Sequence, residues 1–562
     1  MNELQPKKWS RFLGVTCGLS LLISIVAFPI LIFGFGNQAK ISDLLTYAID
    51  HTICIAFYQS CSRFAFELST LSMITISVPF VALIISLSIT TFLLKSYKPI
   101  PQYRHLSGPI VLSGRSAVRH AKIWRRKELG EAGIYLHPKI AISATRELGN
   151  IFIFGQQGAG KSTIIKFILE QLLKRNDSLF IYDEKREYTE QFYTGDEVLI
   201  SPNDARGSCW DLAKDITDEA SAKTVANVLI QSSTQDKFWT DAAQMVLTGV
   251  LITLMKKGKG WSWIDLNKLV FSDAQTLHDV FSINYKAGLN LVDPDSKTTL
   301  SILTTMAIQL SWLPDLACRW KGCSKLFCLN DWHTYDGCKR LIVAGDPSAY
   351  VMSSALCSAL LSLIANKIIA SPDTNTHRIW FVLDELGNMP KTESLKKLLT
   401  LGRSKGVRTI AGTQAVSQLR SIYGQDDAET ILSLFSNVVA LRTGPIGDSA
   451  KVASENLGSK RVEQRVKSFD SSGKESVSHQ HIDIPVVKTE EIIHLPRSNC
   501  SVSGYLLING YESVYRLDWP IQKRLKIAEA FIPVAKNLDV LENSVSIKQE
   551  SKNRFRRGRN AS

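Results

Sequence analysis

The sequence predicts an α/β domain, interrupted by an all-helical insertion and preceded by two N-terminal transmembrane helices. Three observations lead there. Residues 150–169, NIFIFGQQGAGKSTIIKFIL, read as a buried strand, a glycine turn and a helix start. Residues 378–385, RIWFVLDE, read as a second apolar strand that ends in two acids. Residues 13–36 and 68–94 carry no charge over 24 and 27 positions, each long enough to cross a bilayer as a helix.

The two apolar segments bound an N-terminal unit of residues 1–98, with 37–67 as the loop between them. A cleaved signal peptide is the alternative for the first, but 24 positions are long for one and no small-x-small site precedes Asn37. Lys7, Lys8 and Arg11 precede the first segment, and nine Lys or Arg with no acid fill residues 95–127 after the second. The intervening loop has only Lys40 and Arg63 as cations. The positive-inside rule places both termini in the cytoplasm and 37–67 outside. There Cys54 and Cys61 are either bonded in a periplasm or two free thiols. The net charge is +14. Residues 95–127 supply nine of it, and residues 545–562, with six cations against Glu550, supply five. The rest is near neutral, so the charge argues for an anionic lipid contact beside the membrane before a nucleic-acid face on the body.

Residues 99–148 read as a cytoplasmic connector broken by Pro99, Pro101, Pro109 and Pro138, with an amphipathic helix near 116–129. The nucleotide-binding domain then takes 149–214 and 336–535. In GQQGAGKS the glycines let the backbone close on an anion, and Lys161 and Ser162 open a helix whose free N–H groups and dipole favour phosphate. The spacing G-x-x-x-x-G-K-S is the P-loop. Gly155, Gln156, Gln157, Gly158, Ala159, Gly160, Lys161, Ser162 and Thr163 form the nucleotide cradle, implying ATP; Lys161 serves the β/γ-phosphates and Ser162 serves Mg²⁺.

Residues 178–183, SLFIYD, form the next expected strand. Residues 215–335 read as the all-helical insertion, including the periodic run 238–257. Cys318, Cys323, Cys328 and Cys338 lie near His333 at gaps of four, four and nine, wider than zinc pairs usually show. Buried thiols and metal ligands are both open. With ten scattered cysteines no disulfide scaffold is expected, and most fall in segments placed in a reducing compartment.

Strands resume at 340–345, and a long apolar helix covers 351–369. After the strand 378–383, Asp384 suits a water-linked Mg²⁺ and Glu385 suits polarising an attacking water, the two tasks phosphoryl transfer asks of acids. Residues 407–413 form another strand ending beside Gln414, a γ-phosphate sensor or a plain strand-end amide. Arg403 and Arg442 are each an arginine finger toward a neighbouring copy or a solvated cation. Residues 465–482, polar and Ser-rich, read as a mobile loop; 504–518 read as a hairpin about Asn509-Gly510. Residues 536–562 form a basic, flexible tail.

With these pieces in place the chain resembles type IV coupling proteins, the membrane-anchored ATPases of conjugation and type IV secretion, most closely the TraD-type branch. The matching stretches are GQQGAGKS, FIYDEKREYTEQF, SPNDARGSCWDL, FW at 238–239, the run from Trp380 to Gly424, and ENLGSK at 455–460. The resemblance implies a RecA/FtsK-like domain that assembles as a homo-hexamer in the bacterial inner membrane, with the helical insertion toward the cytoplasm. It implies Mg²⁺-ATP hydrolysis that drives a single DNA strand, with its relaxase, into the secretion channel. It also implies sequence-nonspecific binding of single- and double-stranded DNA and recruitment of the relaxosome. The chain stops shortly after its last expected strands, where the F-plasmid type carries a long extension, so partner choice stays open. Motifs alone do not separate DNA cargo from protein effectors. A non-hydrolysing scaffold is disfavoured by the retained Glu385. An ABC transporter lacks its LSGGQ-like signature here, and a chromosome translocase of the FtsK type would carry more membrane helices and a DNA-reading C-terminal domain.

Overall fold

A computed structural model describes residues 18, 20, 80–89 and 103–534, apart from 129, 233–235, 259, 334–339, 375–376, 390 and 470–474. The chain forms two compact units, residues 1–104 and 105–562. In the first, Phe80–Ile89 is an apolar helix. Phe80, Val81, Ile84 and Leu87 on it are all exposed. The rest of the expected span 68–94, nearly all of 13–36 and the Cys54–Cys61 loop lie outside the described residues. Within them, two helices are long and apolar enough to cross a membrane: Lys237–Lys256 and Pro347–Ala370. Both are mostly buried in the second unit, at 67% and 72% of their apolar windows, as core helices are.

The second unit is built on a ten-stranded sheet. Its strands are β1 (Ile110–Ser113), β2 (Ile151–Phe154), β3 (Ser178–Asp183), β4 (Val198–Ile200), β5 (Arg340–Ala344), β6 (Ile379–Leu383), β7 (Val407–Thr413), β8 (Asn437–Ala440), β9 (Ser501–Ile508) and β10 (Ser513–Pro520). They run in the spatial order β1-β10-β9-β8-β2-β7-β6-β3-β5-β4. From β8 to β4 every neighbouring pair is parallel. β9 turns antiparallel to β8, and β10 antiparallel to β9. The parallel strands are mostly apolar because both faces are covered, with Arg340, Arg408 and Asn437 among the exceptions. Their alternation sorts side chains between two cores: Phe152, Phe154, Phe180, Phe381 and Leu383 face one, and Ile151, Ile153, Leu179, Trp380 and Val382 face the other. Helix Lys161–Arg175 closes the second face with Ile164, Ile165, Ile168, Leu169 and Leu172, all fully buried. Each such side chain stabilises the fold by roughly 1.5–3 kcal/mol relative to exposure.

Residues 99–148 are more than a tether. Gly114–Lys127 is a helix, and β1 pairs in parallel with β10 at the sheet's edge. At the foot of the sheet Glu147 is fully buried between two arginines, 2.8 Å from Arg175 and 3.1 Å from Arg408. It also accepts the Ile134 N–H at 2.8 Å. Removing one partner of such a cluster strands the others' charge. Glu147→Ala is expected to cost about 3–5 kcal/mol and to lower the thermal midpoint of the full chain. A midpoint unchanged from wild type would mean the arginines reach water without it.

Two expectations change. The stretch 465–482 is mostly ladder: Ser459–Phe469 and Glu475–Pro485 pair antiparallel over eleven residues each. Cross-strand pairing of alternate side chains, with Val462 opposite Ile482 and Val466 opposite Ser478, outweighs a composition that signals a loop. The cysteines also differ. Cys323 is bonded to Cys209, 114 residues away. That bond sits beside the two-residue parallel pair Cys209–Trp210 with Leu326–Phe327, where the helical segment begins and ends. Sequence spacing misses it because the partners meet only after the segment folds. Cys328 is a buried free thiol and Cys318 an exposed one; Cys338 is outside the described residues. Between Cys209 and Cys323 run the helices Glu219–Leu229, Lys237–Lys256, Trp263–Val270, Ala274–Asn284, Lys297–Gln309 and Leu313–Arg319.

Candidate functional site

The carboxyl ends of β2, β7, β6 and β3 lie side by side, and the turns after β2, β6 and β3 wall one cavity of about 320 Å³. The turn after β2 is the P-loop. Its entry is fixed by neighbouring strand ends: the Gly155 N–H donates to the Thr413 carbonyl at 3.2 Å and the Gln156 N–H to the Arg442 carbonyl at 3.0 Å. The Ala159 N–H returns to the Gln156 carbonyl at 3.0 Å. Gly158 and Gly160 take positive φ, 74° and 103°. A Cβ on Gly160 would also stand 2.5 Å from Val502, so only glycine fits there. Helix Lys161–Arg175 starts directly after it with no side chain capping its first N–H groups. The Thr163 N–H donates to the Gly160 carbonyl at 3.1 Å, and the N–H groups ahead of it are left for an anion. Gln156, Gln157, Gly158, Gly160, Lys161, Ser162 and Thr163 line the cavity, with Gly155 and Ala159 behind them.

Lys161 is 8% exposed. Its Nζ donates to the Gly155 carbonyl at 2.8 Å and lies 3.6 Å from Glu385 Oε2. Burial pushes this ammonium below its ordinary range, against the pull of Glu385 and Asp384. β6 delivers both acids. Asp384 and Glu385 are buried, at 5% and 3% exposure. Burial raises the Asp384 carboxyl to about 6, with Lys161 pulling it down. Its Oδ1 is enclosed and accepts no hydrogen bond of ordinary geometry, with the Tyr188 hydroxyl its nearest donor, equally unsatisfied. An orphaned carboxylate oxygen in the same cavity as the Ser162 hydroxyl fits a hard, oxygen-seeking cation such as Mg²⁺. Glu385 Oε1 accepts the Gln414 N–H at 3.1 Å.

β7, whose last residue Thr413 precedes Gln414, lies between the P-loop strand and the acid strand. The backbone of Gln414 thus holds Glu385, while its side chain is half-buried. Arg442 contributes its carbonyl to the P-loop turn. Arg403 is elsewhere. It is exposed in the turn Gly402–Lys405 before β7, and it lines a second cavity of about 380 Å³ with Arg146 and Asn437. Seven residues of β7 separate it from the P-loop end, on the order of 20 Å.

The first cavity also has walls the motifs did not name: Lys166, Lys185, Glu187, Arg497, Gln522 and Arg524. Lys185 sits in the turn after β3. Its sequence signal was its place just past a strand-end acid, Asp183, which becomes informative once β3 is known to adjoin β6. Arg497 and Arg524 come from beyond 495 and carry no local signal.

Residues 134–510 match the family described as the type IV secretion-system coupling protein DNA-binding domain. Among curated proteins the chain is 25% identical over 421 residues to the coupling protein TraD of Escherichia coli (strain K12). That alignment covers 71% of this chain and 56% of the relative, so the chain spans little more than half of the relative's length. Among solved structures it resembles the bacterial conjugative coupling protein TrwBdeltaN70 in an unbound form, with a TM-score of 0.66, 21% identity, and 76% and 96% of the two chains covered. It is equally similar, at 0.66 and 21%, to plasmid coupling protein TrwB in complex with ADP and Mg²⁺, with 78% and 100% covered. At that identity the structural likeness establishes the fold.

Proposed function

The chain belongs to the type IV secretion-system coupling proteins, and from that premise we propose that it is a membrane-anchored ATPase that drives single-stranded DNA, with its attached relaxase, into a type IV secretion channel. The observation that carries the reading is the meeting of Lys161, Ser162, Asp384 and Glu385 on one cavity from strands more than 200 residues apart. A scaffold that only bound nucleotide would not need a buried carboxylate held beside the phosphate cradle.

Glu385 Oε2 faces the Lys161 ammonium at 3.6 Å. Phosphate oxygens compete for that ammonium and for the uncapped N–H groups of the helix start. As Lys161 turns to phosphate, Glu385 keeps its bond from the Gln414 N–H and is free to take a proton from an attacking water at Oε2. Ser162 and Asp384 would hold Mg²⁺, which supplies charge neutralisation between the phosphates. Gln414, one residue beyond β7 and bonded through its N–H to Glu385, would report the γ-phosphate to that strand. Arg403 cannot serve its own chain's site from the far end of β7. Its route to chemistry is the nucleotide of an adjacent copy in a homo-hexamer.

Residues 13–36 and 68–94 would anchor the chain in the bacterial inner membrane, with both termini in the cytoplasm. The exposed apolar face of Phe80–Ile89 supports that reading for the second. Single cysteines placed in 37–67 are expected to react with an impermeant reagent added outside, and one at Arg115 to stay unlabelled. Labelling at Arg115 would overturn the topology.

The decisive experiment is phosphate release by the full chain in detergent, with and without single-stranded DNA. Turnover stimulated by DNA supports the DNA motor. Turnover indifferent to DNA points to protein cargo. Bound ATP with no turnover under either condition would leave a scaffold.

A further inference from the structure

Five cations line the nucleotide cavity: Lys161, Lys166, Lys185, Arg497 and Arg524. Four are already engaged. Lys161 is shared between Glu385 and the Gly155 carbonyl. Lys166 pairs with Glu187 at 2.7 Å, and Arg524 pairs with Glu170 at 2.5 Å. Arg497 donates to the Gly158 carbonyl. Lys185 alone makes no hydrogen bond or ion pair among the described residues, and it is exposed to the cavity.

An unpaired surface lysine is ordinarily just a solvated charge. The turn that bears this one is built against that reading. It follows β3, whose register with β6 sets Tyr182 opposite Leu383, so the two chains leave the sheet side by side. Glu184 is drawn off by Asn388, whose amide donates to both carboxylate oxygens at 2.8 and 3.0 Å. Arg186 holds a left-handed backbone, φ 61°, which is strained for a non-glycine residue. Its guanidinium is buried, donates to the Gly345 carbonyl at 2.9 Å, lies 3.7 Å from both Asp204 and Asp346, and stacks on Phe531 at 4.0 Å. Gly345 donates back to the Asp183 carbonyl at 2.9 Å, and a Cβ there would stand 2.7 Å from the Glu184 carbonyl oxygen. The residues on both sides of Lys185 are therefore fastened, and Lys185 is presented between them. Its charge reaches the P-loop: it is among the groups that lower Lys161.

We propose that Lys185 is a catalytic residue of this chain, contacting the γ-phosphate of its own ATP from the β3 side, opposite the P-loop. The idea rests on the ATPase reading above. A cation on the same cavity as Asp384 and Glu385 but outside the P-loop suits the extra charge that a triphosphate brings, and charge on the γ-oxygens is what phosphoryl transfer redistributes. ADP lacks that group and does not reach Lys185.

The test compares the full-length wild type, Lys185→Ala and Lys185→Arg for affinity toward ADP and toward a slowly hydrolysed ATP analogue, and for phosphate release. Lys185→Ala is expected to keep ADP affinity within about twofold, lose at least about tenfold in analogue affinity and lose about 100-fold in turnover. Lys185→Arg is expected to recover most of the analogue affinity. Equal losses for ADP and the analogue would mean a general phosphate or structural role and would overturn the proposal. No loss for either would make Lys185 a solvated lysine and overturn it too. A wild type that binds the analogue without turnover would sink the ATPase reading while the affinity ratio still judges Lys185. A wild type that binds neither nucleotide would remove both.

Discussion

Glu385→Gln is expected to bind ATP as the wild type does and to release phosphate about 10³-fold more slowly, within the range that loss of a general base produces. The substitution is close to isosteric, and its amide oxygen can still accept the Gln414 N–H that Glu385 accepts at 3.1 Å. What disappears is the negative charge 3.6 Å from Lys161 and the site that takes the proton from water. Binding should not suffer, since a neutral neighbour leaves Lys161 more available to phosphate. Nucleotide affinity measured beside phosphate release separates the two effects. Turnover within a few-fold of wild type would remove Glu385 as the base. A parallel loss of ATP affinity would mean that Glu385 shapes the cradle instead.

Lys161→Ala is expected to weaken ATP by about 10²–10³-fold, corresponding to the roughly 2–5 kcal/mol lost when one partner of a buried charge pair is truncated. Three contacts go together. The ammonium no longer meets the phosphates, the Gly155 carbonyl loses its donor, and Asp384 and Glu385 are left without their buried cation. Burial already pushes Asp384 to about 6 with Lys161 opposing it, so removing Lys161 drives the carboxyl further toward its protonated form. A protonated Asp384 is a poor Mg²⁺ partner. The variant should therefore lose the dependence of ATP affinity on Mg²⁺ as well as the affinity itself. Titration with and without Mg²⁺ checks both. Near-normal Mg²⁺-dependent affinity would contradict the assignment of Lys161 to the phosphates.

The cradle was legible because every requirement of a P-loop is local. Gly158 and Gly160 supply the backbone angles, Ile151–Phe154 supplies the strand, and the helix start supplies the donors, all within some 20 consecutive residues. Asp384 and Glu385 were legible for a similar reason, since an apolar run that stops at two acids marks a strand end. The turn after β3 was not. Lys185 resembles any exposed lysine until the sheet order sets β3 beside β6. Residues 465–482 misled for the opposite reason: composition measures local polarity, whereas the ladder there depends on a partner strand. Helix Lys237–Lys256 is as apolar as a membrane span, yet 67% of its apolar window is buried in the second unit.

By itself the sequence determined the phosphate-binding turn, the acid pair, the apolar segments and the basic stretches, all properties of contiguous residues that depend on side-chain chemistry and backbone freedom. Tertiary structure alone decided that β7 lies between the P-loop and the acids, that Cys209 meets Cys323, that Arg403 stands at the far end of the sheet, and that Lys185 faces the cavity. Those outcomes depend on which strands become neighbours. Strand order is settled by packing between segments hundreds of residues apart, and no single stretch of chain records it.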